Sequence, residues 1–160
     1  MVSRYIFLLT LFISASCNVM LYRGATFSSS SFECISQELD GTVTVSCIGN
    51  GRNRLDAVEQ AKKNSIFQLL FKGVSSNKSN CNIRPLVPEV NAETKYKDYF
   101  NNFFRDKGEY LKYVSEQDEK ILNKFKRYKG KSENEKYFSI LLRINLPLLE
   151  LKLKQDNIIK

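Results

Sequence analysis

Two stretches near residue 40 alternate apolar and polar positions. In 32–37, Phe32, Cys34 and Ser36 fall on one face; in 42–48, Val43, Val45 and Cys47 oppose Thr42, Thr44 and Ser46. Asp40-Gly41 between them is a turn pair, so the pattern predicts a β-hairpin whose second strand is half buried. Gly49-Asn50-Gly51 is expected to end that strand. The period then lengthens to that of a helix, with Leu55, Val58, Ile66, Leu69 and Leu70 forming an apolar stripe. Asn53 is placed to cap this helix and Asp56 lies near its positive end. Gly73 is placed to stop it after about Lys72. Ala57, Ala61 and Ser65 recur every four residues, a row of small side chains that lets a helix lie close on a sheet.

Val74 to Asn91 reads as a loop, rich in Ser and Asn and holding Pro85 and Pro88, with Leu86 and Val87 pinning it to the core. A second helix is expected over Glu93–Arg105, with Tyr96, Tyr99, Phe100, Phe103 and Phe104 as an aromatic face and Lys107-Gly108 as its close. Glu109–Ser115 reads as a strand, with Leu111 and Tyr113 opposite Tyr110 and Val114. The highly charged stretch 116–136 has only Ile121, Leu122 and Phe125 as strong anchors. It is expected to pack poorly, part strand or short helix. Tyr137–Leu146 is the clearest late strand. Leu148–Ile159 is either a terminal helix begun by Pro147 or an extended edge. The order β-β-α-α-β-β-α implies the α+β class. The expected sheet is antiparallel, of about four strands, with two main helices on one face and, on the helical reading of the last residues, a C-terminal helix.

The 160 residues allow one domain and a leader. Hydrophobic residues at 42% and charged residues at 26% are ordinary for a folded chain. A domain of roughly 120 to 130 residues buries about two-thirds of its unfolded surface, enough to fold without staples. Residues 1–16 have the grammar of a secretory signal: Arg4 supplies positive charge, Tyr5–Ile13 is apolar save for Thr10, and Ser14, Ala15 and Ser16 are small. Cys17 follows directly, and Ser14-Ala15-Ser16-Cys17 resembles a bacterial lipobox, with Ser14 where Leu or Val is usual. The expectation is a cleaved lipoprotein signal with acyl chains on Cys17. Two or three chains would hold the protein on a membrane, since each buried methylene contributes about 0.8 kcal/mol. An ordinary cleaved signal and an uncleaved anchor are the alternatives. Residues 17–31, ending in the run Ser28–Ser31, read as a flexible tether, and 32–160 as a single domain. No acidic residue follows Cys17 through Arg23, which favours the periplasm-facing side of the outer membrane.

With Cys17 acylated, Cys34, Cys47 and Cys81 remain, so at most one internal disulfide forms. Cys34 and Cys47 could face each other across the hairpin, but free buried thiols are the first expectation, since Cys packs as a small hydrophobe. The net charge of +8 is spread over the second half and reads as a solvated surface. An exported protein rarely meets nucleic acid, so none is expected as a partner.

The chain has no His, which removes the commonest general base and metal ligand, and no Cys-x-x-Cys pair. No catalytic residue, metal or cofactor is expected. The carboxylate pairs Glu89/Glu93 and Asp118/Glu119 read as solvated, and the aromatic face of the second helix as core rather than ligand platform. Gly49-x-Gly51 lacks the third glycine of a dinucleotide fingerprint, because Arg54 stands in its place. The alternative to a pure scaffold is therefore a small-ligand or anion-binding module at the Gly49–Arg54 turn, using Arg52, Asn53 and Arg54 at a helix N-terminus.

The run Thr42-Val43-Thr44-Val45, then Gly49-x-Gly51, then Asp56-Ala57-Val58-Glu59-Gln60-Ala61-Lys62-Lys63-Asn64 resembles the strand, glycine turn and small-residue helix of small Bacteroidota envelope lipoproteins. Those are similar to LPP20-type lipoproteins and to the N-terminal domain of flagellar assembly protein T. Pro85-Leu86-Val87-Pro88-Glu89-Val90-Asn91, with the aromatic helix after it, resembles the same group. The resemblance, from Gly41 to the end, implies an envelope lipoprotein of structural or unknown role and carries over no catalytic residues. The expected role is a non-enzymatic accessory or scaffold that binds a protein partner or a cell-wall polymer.

Overall fold

The computed structural model describes residues 32–76, 81–117, 129–131 and 136–160. The leader 1–16, the tether 17–31 with Cys17, and the expectations for Asp118, Glu119, Ile121, Leu122 and Phe125 lie outside the described residues. The fold is α+β. Strands β1 (Phe32–Gln37), β2 (Thr42–Gly51), β7 (Lys136–Asn145) and β5 (Val114–Glu116) lie side by side in that order, all antiparallel. The short β6 (Lys129–Lys131) pairs with the first residues of β7.

The hairpin turn is built locally. Gly41 takes φ +79°, open to glycine at little cost, and the Asp40 carboxylate accepts from the Thr42 N–H at 2.8 Å and from its hydroxyl. The apolar positions of β2 face those of β7: Val43 opposes Ile144, Val45 opposes Leu142 and Cys47 opposes Ile140. All six are buried. A bulge at Ile35 corrects the expected face of Ser36. Two β1 residues oppose one of β2 there, so Cys34 stays inward against Val45 while Ser36 lies against Thr44 on the polar face. Strand β2 also runs three residues past Ile48, because β7 is long enough to pair with Gly49, Asn50 and Gly51.

Helix α1 (Arg54–Phe71) lies on the apolar face of β2 and β7. It starts and stops as its sequence dictates. Asn53 Oδ1 accepts from the Asp56 N–H at 3.0 Å, and Gly73 at φ +68° ends it. Ala57, Ala61 and Ser65 are completely buried, and the row meets Gly49, whose missing side chain leaves room for the Ala57 carbonyl. Val58, Ile66, Leu69 and Leu70 join the core, and each such side chain contributes about 1.5–3 kcal/mol on burial. Leu55 does not join them: at 80% exposed it projects from the first turn.

Val74–Asn91 is not wholly loop. Val74–Ser76 (β3) pairs with Cys81–Ile83 (β4), strands of three residues and so too short to show alternation. A disulfide joins Cys34 on β1 to Cys81 on β4, and Cys47 remains a buried thiol. The sequence reading of Cys34 and Cys81 as free thiols is thus corrected. Closing a 47-residue separation stabilises by about 4 kcal/mol in the chain-entropy account.

The second helix is broken at Tyr96 into α2 (Ala92–Lys95) and α3 (Lys97–Phe103), because Tyr96 leaves helical geometry at ψ +31°. Phe100, Phe103 and Phe104 are buried, in line with the core reading, and ring contacts run from Phe67 and Phe71 of α1 through Phe100 to Phe104 and Tyr110. Glu109–Lys112 is a 3₁₀ turn, not the expected strand. It drives Tyr110 fully into the core, where its hydroxyl donates to Glu59 at 3.0 Å, and only Val114–Glu116 is extended. The last residues resolve as helix α4 (Leu146–Gln155). Asn145 caps it from the Leu148 N–H, Pro147 sits in the first turn, and Leu146, Leu149 and Leu153 face the core.

Candidate functional site

The carbonyls at the end of α1 find donors in the proline segment. Leu86 N–H donates to Leu69 O at 3.1 Å and Val87 N–H to Leu70 O at 2.9 Å. Pro85 and Pro88 bracket these two residues and keep the segment an extended strap, since a proline has no N–H for a helix or ladder. Val87 is buried and Leu86 packs on the core beside it, as the sequence suggested. Beyond Pro88, Asn91 turns at φ +62° into α2. On the other side α4 ends and Asn157 turns at φ +57°, which folds Ile158 and Ile159 back toward the strap.

Between strap and chain end lies a groove of about 960 Å³. Leu86, Val87, Ile158 and Ile159 give it an apolar floor. Its polar lining is Glu89, Lys95, Tyr96, Glu150, Asn157 and Lys160. Glu89, Lys95 and Tyr96 are bonded to one another. Lys95 Nζ donates to Glu89 Oε1 at 2.6 Å, the Tyr96 hydroxyl donates to Glu89 Oε2 at 3.3 Å, and the Lys95 ammonium sits 4.9 Å from the Tyr96 ring centre. The hydrogen bond from Lys95 holds the Glu89 carboxyl below its usual range, and the same bond raises the ammonium. The break of the helix at Tyr96 separates this residue from the buried aromatic row, so that it is half-buried on the groove while Phe100 and Phe103 are core.

Glu89 and Glu93 are both exposed, in line with the solvated reading, Glu89 paired with Lys95 and Tyr96 and Glu93 in the first turn of α2. The residues of the α1 start are occupied by the protein's own carboxylates. Arg54 donates to Glu116 at 2.6 Å, Arg52 lies 3.7 Å from Asp56, and Asn53 both caps the helix and donates to Asp56 at 3.1 Å. An added anion at this turn would compete with Glu116 for Arg54, while Arg52, 91% exposed, is held only loosely. Among the described residues the free thiol is Cys47; it is buried, and burial pushes its pKa up, away from the thiolate a nucleophile needs. Among the described residues no group of three or more acidic, Cys or His side chains could hold a metal ion, and no helix is long and apolar enough to cross a membrane.

Sequence reasoning picked out the strap and the aromatic helix but did not join them to the chain end. Glu89 is solvated and Tyr96 packs against the core as expected, but their bond to one another was not foreseen. The two prolines three residues apart, followed by an acid, were the local signal; Asn157, Ile158 and Ile159 carried none. Comparison with protein-family models, with curated proteins and with solved structures finds no match for this chain.

Proposed function

We propose that the protein is a non-enzymatic lipoprotein of the cell envelope, held by acyl chains on Cys17 at the periplasm-facing side of the outer membrane. Its basic α+β domain holds a protein partner or a cell-wall polymer and serves as an accessory or scaffold. The leader supports the address: an apolar run, three small residues and then Cys17, followed by a serine tether before β1. The observation that carries the binding role is the groove beside the proline strap, where an apolar floor meets an acid, a lysine and a tyrosine fixed against one another. This combination is what small-molecule and polymer sites use: apolar area for affinity and a few fixed polar groups for orientation.

The test is photo-crosslinking in living cells from a benzoylphenylalanine placed at Tyr96, with the same residue placed at the fully exposed Leu39 of the hairpin turn as control. An adduct formed from position 96 and not from 39 is the expected result. Equal labelling from both, or none from either, overturns the groove as the binding face.

A further inference from the structure

Resting on the groove as the binding face, we infer that the Cys34–Cys81 disulfide is a redox latch on its strap wall. Oxidised, it holds the strap shut; reduced, it lets the strap leave while the central sheet stays folded. The strap has few anchors of its own. It follows β3 and β4, which form a two-stranded sheet separate from the five-stranded one. Each of these two strands has three residues, and a lone two-stranded hairpin is marginal in water. Past β4 the strap returns to α1 through two backbone bonds, Leu86 N–H to Leu69 O and Val87 N–H to Leu70 O. Such bonds add little net stability, because water replaces them on opening. Val74, Cys81, Ile83, Leu86 and Val87 add apolar contact with the core.

The bridge decides how far this region can open. Cys34 lies within β1, which pairs with β2 from Phe32 opposite Cys47 to Gln37 opposite Val43, so Cys81 is fixed to the central sheet. With the bond in place β4 cannot leave β1, and the opened chain gains little freedom. Without it, β3, β4 and the strap can leave together and recover their chain entropy. The elements beneath keep their own support, since β2 pairs with β7 along its whole length and α1 lies on both. Cys34 and Cys81 are each 1% exposed, so the closed bond is shielded from passing thiols. The compartment in which the chain folds therefore sets the latch. A dithiol opens it by supplying two electrons: the Cys34–Cys81 bond breaks, each cysteine takes a proton, and the dithiol becomes a disulfide. A disulfide oxidant reverses the step. The groove is thus open on its strap side in a reducing interior and complete in an oxidising envelope.

The test is amide hydrogen exchange, read by NMR on the full chain in three forms. These are the oxidised parent, the parent held reduced by dithiothreitol, and Cys81→Ser; alkylation of an aliquot confirms that Cys34 and Cys81 are free in the second. The quantity read is the exchange rate of the Leu86 and Val87 amides relative to those of Val45 and Cys47 in β2. A uniform loss of stability leaves this ratio unchanged. Loss of the bridge, by either route, should raise it by about tenfold or more, and glutathione disulfide should restore it in the reduced parent. A smaller rise overturns the inference, whether both sets of amides stay protected or both are lost together. Photo-crosslinking from position 96 separates this result from the groove's role. No adduct in the oxidised form removes that role and leaves the latch; an unchanged ratio removes the latch and leaves the groove.

Discussion

Gly49 lies so close to Ala57 that a Cβ on the glycine would sit 1.8 Å from the Ala57 carbonyl oxygen. The contact joins the last part of β2 to the first turn of α1, chiefly through backbone. The restriction is steric, since Gly49 is part of an ordinary paired strand. Gly49→Ala must push α1 off the sheet or bend β2, and it is expected to cost about 3 kcal/mol or more, at or beyond the upper end for overpacked cores. Urea denaturation measures this directly. A variant within about 0.5 kcal/mol of the parent would show that the helix does not bear on the strand.

The Cys34–Cys81 bridge ties β1 to the hairpin that leads into the strap. Cys81→Ser should lower stability by about 3–4 kcal/mol, and a reductant should lower the melting temperature of the parent but not of the variant. After denaturation without reductant, alkylation should tag Cys47 and leave Cys34 and Cys81 unlabelled. Labelling of all three would contradict the pairing.

Stability should fall at both ends of the pH scale. Burial alone would raise the Asp156 carboxyl, but the Tyr99 hydroxyl at 2.7 Å and Lys152 at 2.9 Å outweigh it and hold its pKa below the usual range. Glu109 is held low chiefly by Lys112. Groups with depressed folded values contribute stability above their unfolded pKa, near 4, and lose it as pH falls through the folded value. Tyr99 and Tyr110 are raised, first by burial and then by their carboxylate partners, so their contribution is lost as pH rises past about 10. Urea midpoints at pH 3, 7 and 10.5 check this: both extremes should lie below pH 7, and Asp156→Asn should shrink the acid drop. A midpoint independent of pH would refute the Tyr99–Asp156–Lys152 network as a stabilising element.

Asn53 and Asn145 cap the two longest helices among the described residues with the same bond, the side-chain oxygen accepting from the N–H three residues on. Replacing either by Ala should cost about 1 kcal/mol. Because Arg52 and Arg54 are paired with Asp56 and Glu116, millimolar phosphate should leave the melting temperature unchanged. A phosphate-dependent rise abolished by Arg54→Ala would restore the anion site at this turn.

The parts of the fold readable from sequence were those whose signals are local. The hairpin turn at Asp40-Gly41, the cap at Asn53, the stop at Gly73 and the small-residue row of α1 are each decided within a few residues. What stayed hidden depended on partners distant in sequence. The bulge that turns Ser36 outward is fixed by pairing with Thr44. The Cys34–Cys81 bridge is fixed by where β3 and β4 fold back. Tyr110 reads as a strand residue until Glu59 and the aromatic row draw it into a 3₁₀ turn. The groove needed both the strap and the turn at Asn157, and neither segment alone suggests a cavity.

All of the proposed role depends on where the mature chain starts and what is attached there. Intact-mass spectrometry of protein purified from native membranes tests that point most directly. The account predicts a chain lacking residues 1–16, beginning at Cys17, and heavier than its sequence by the mass of two or three acyl groups. A chain that still carries Met1, or one that begins after residue 17 with no added lipid, would contradict it.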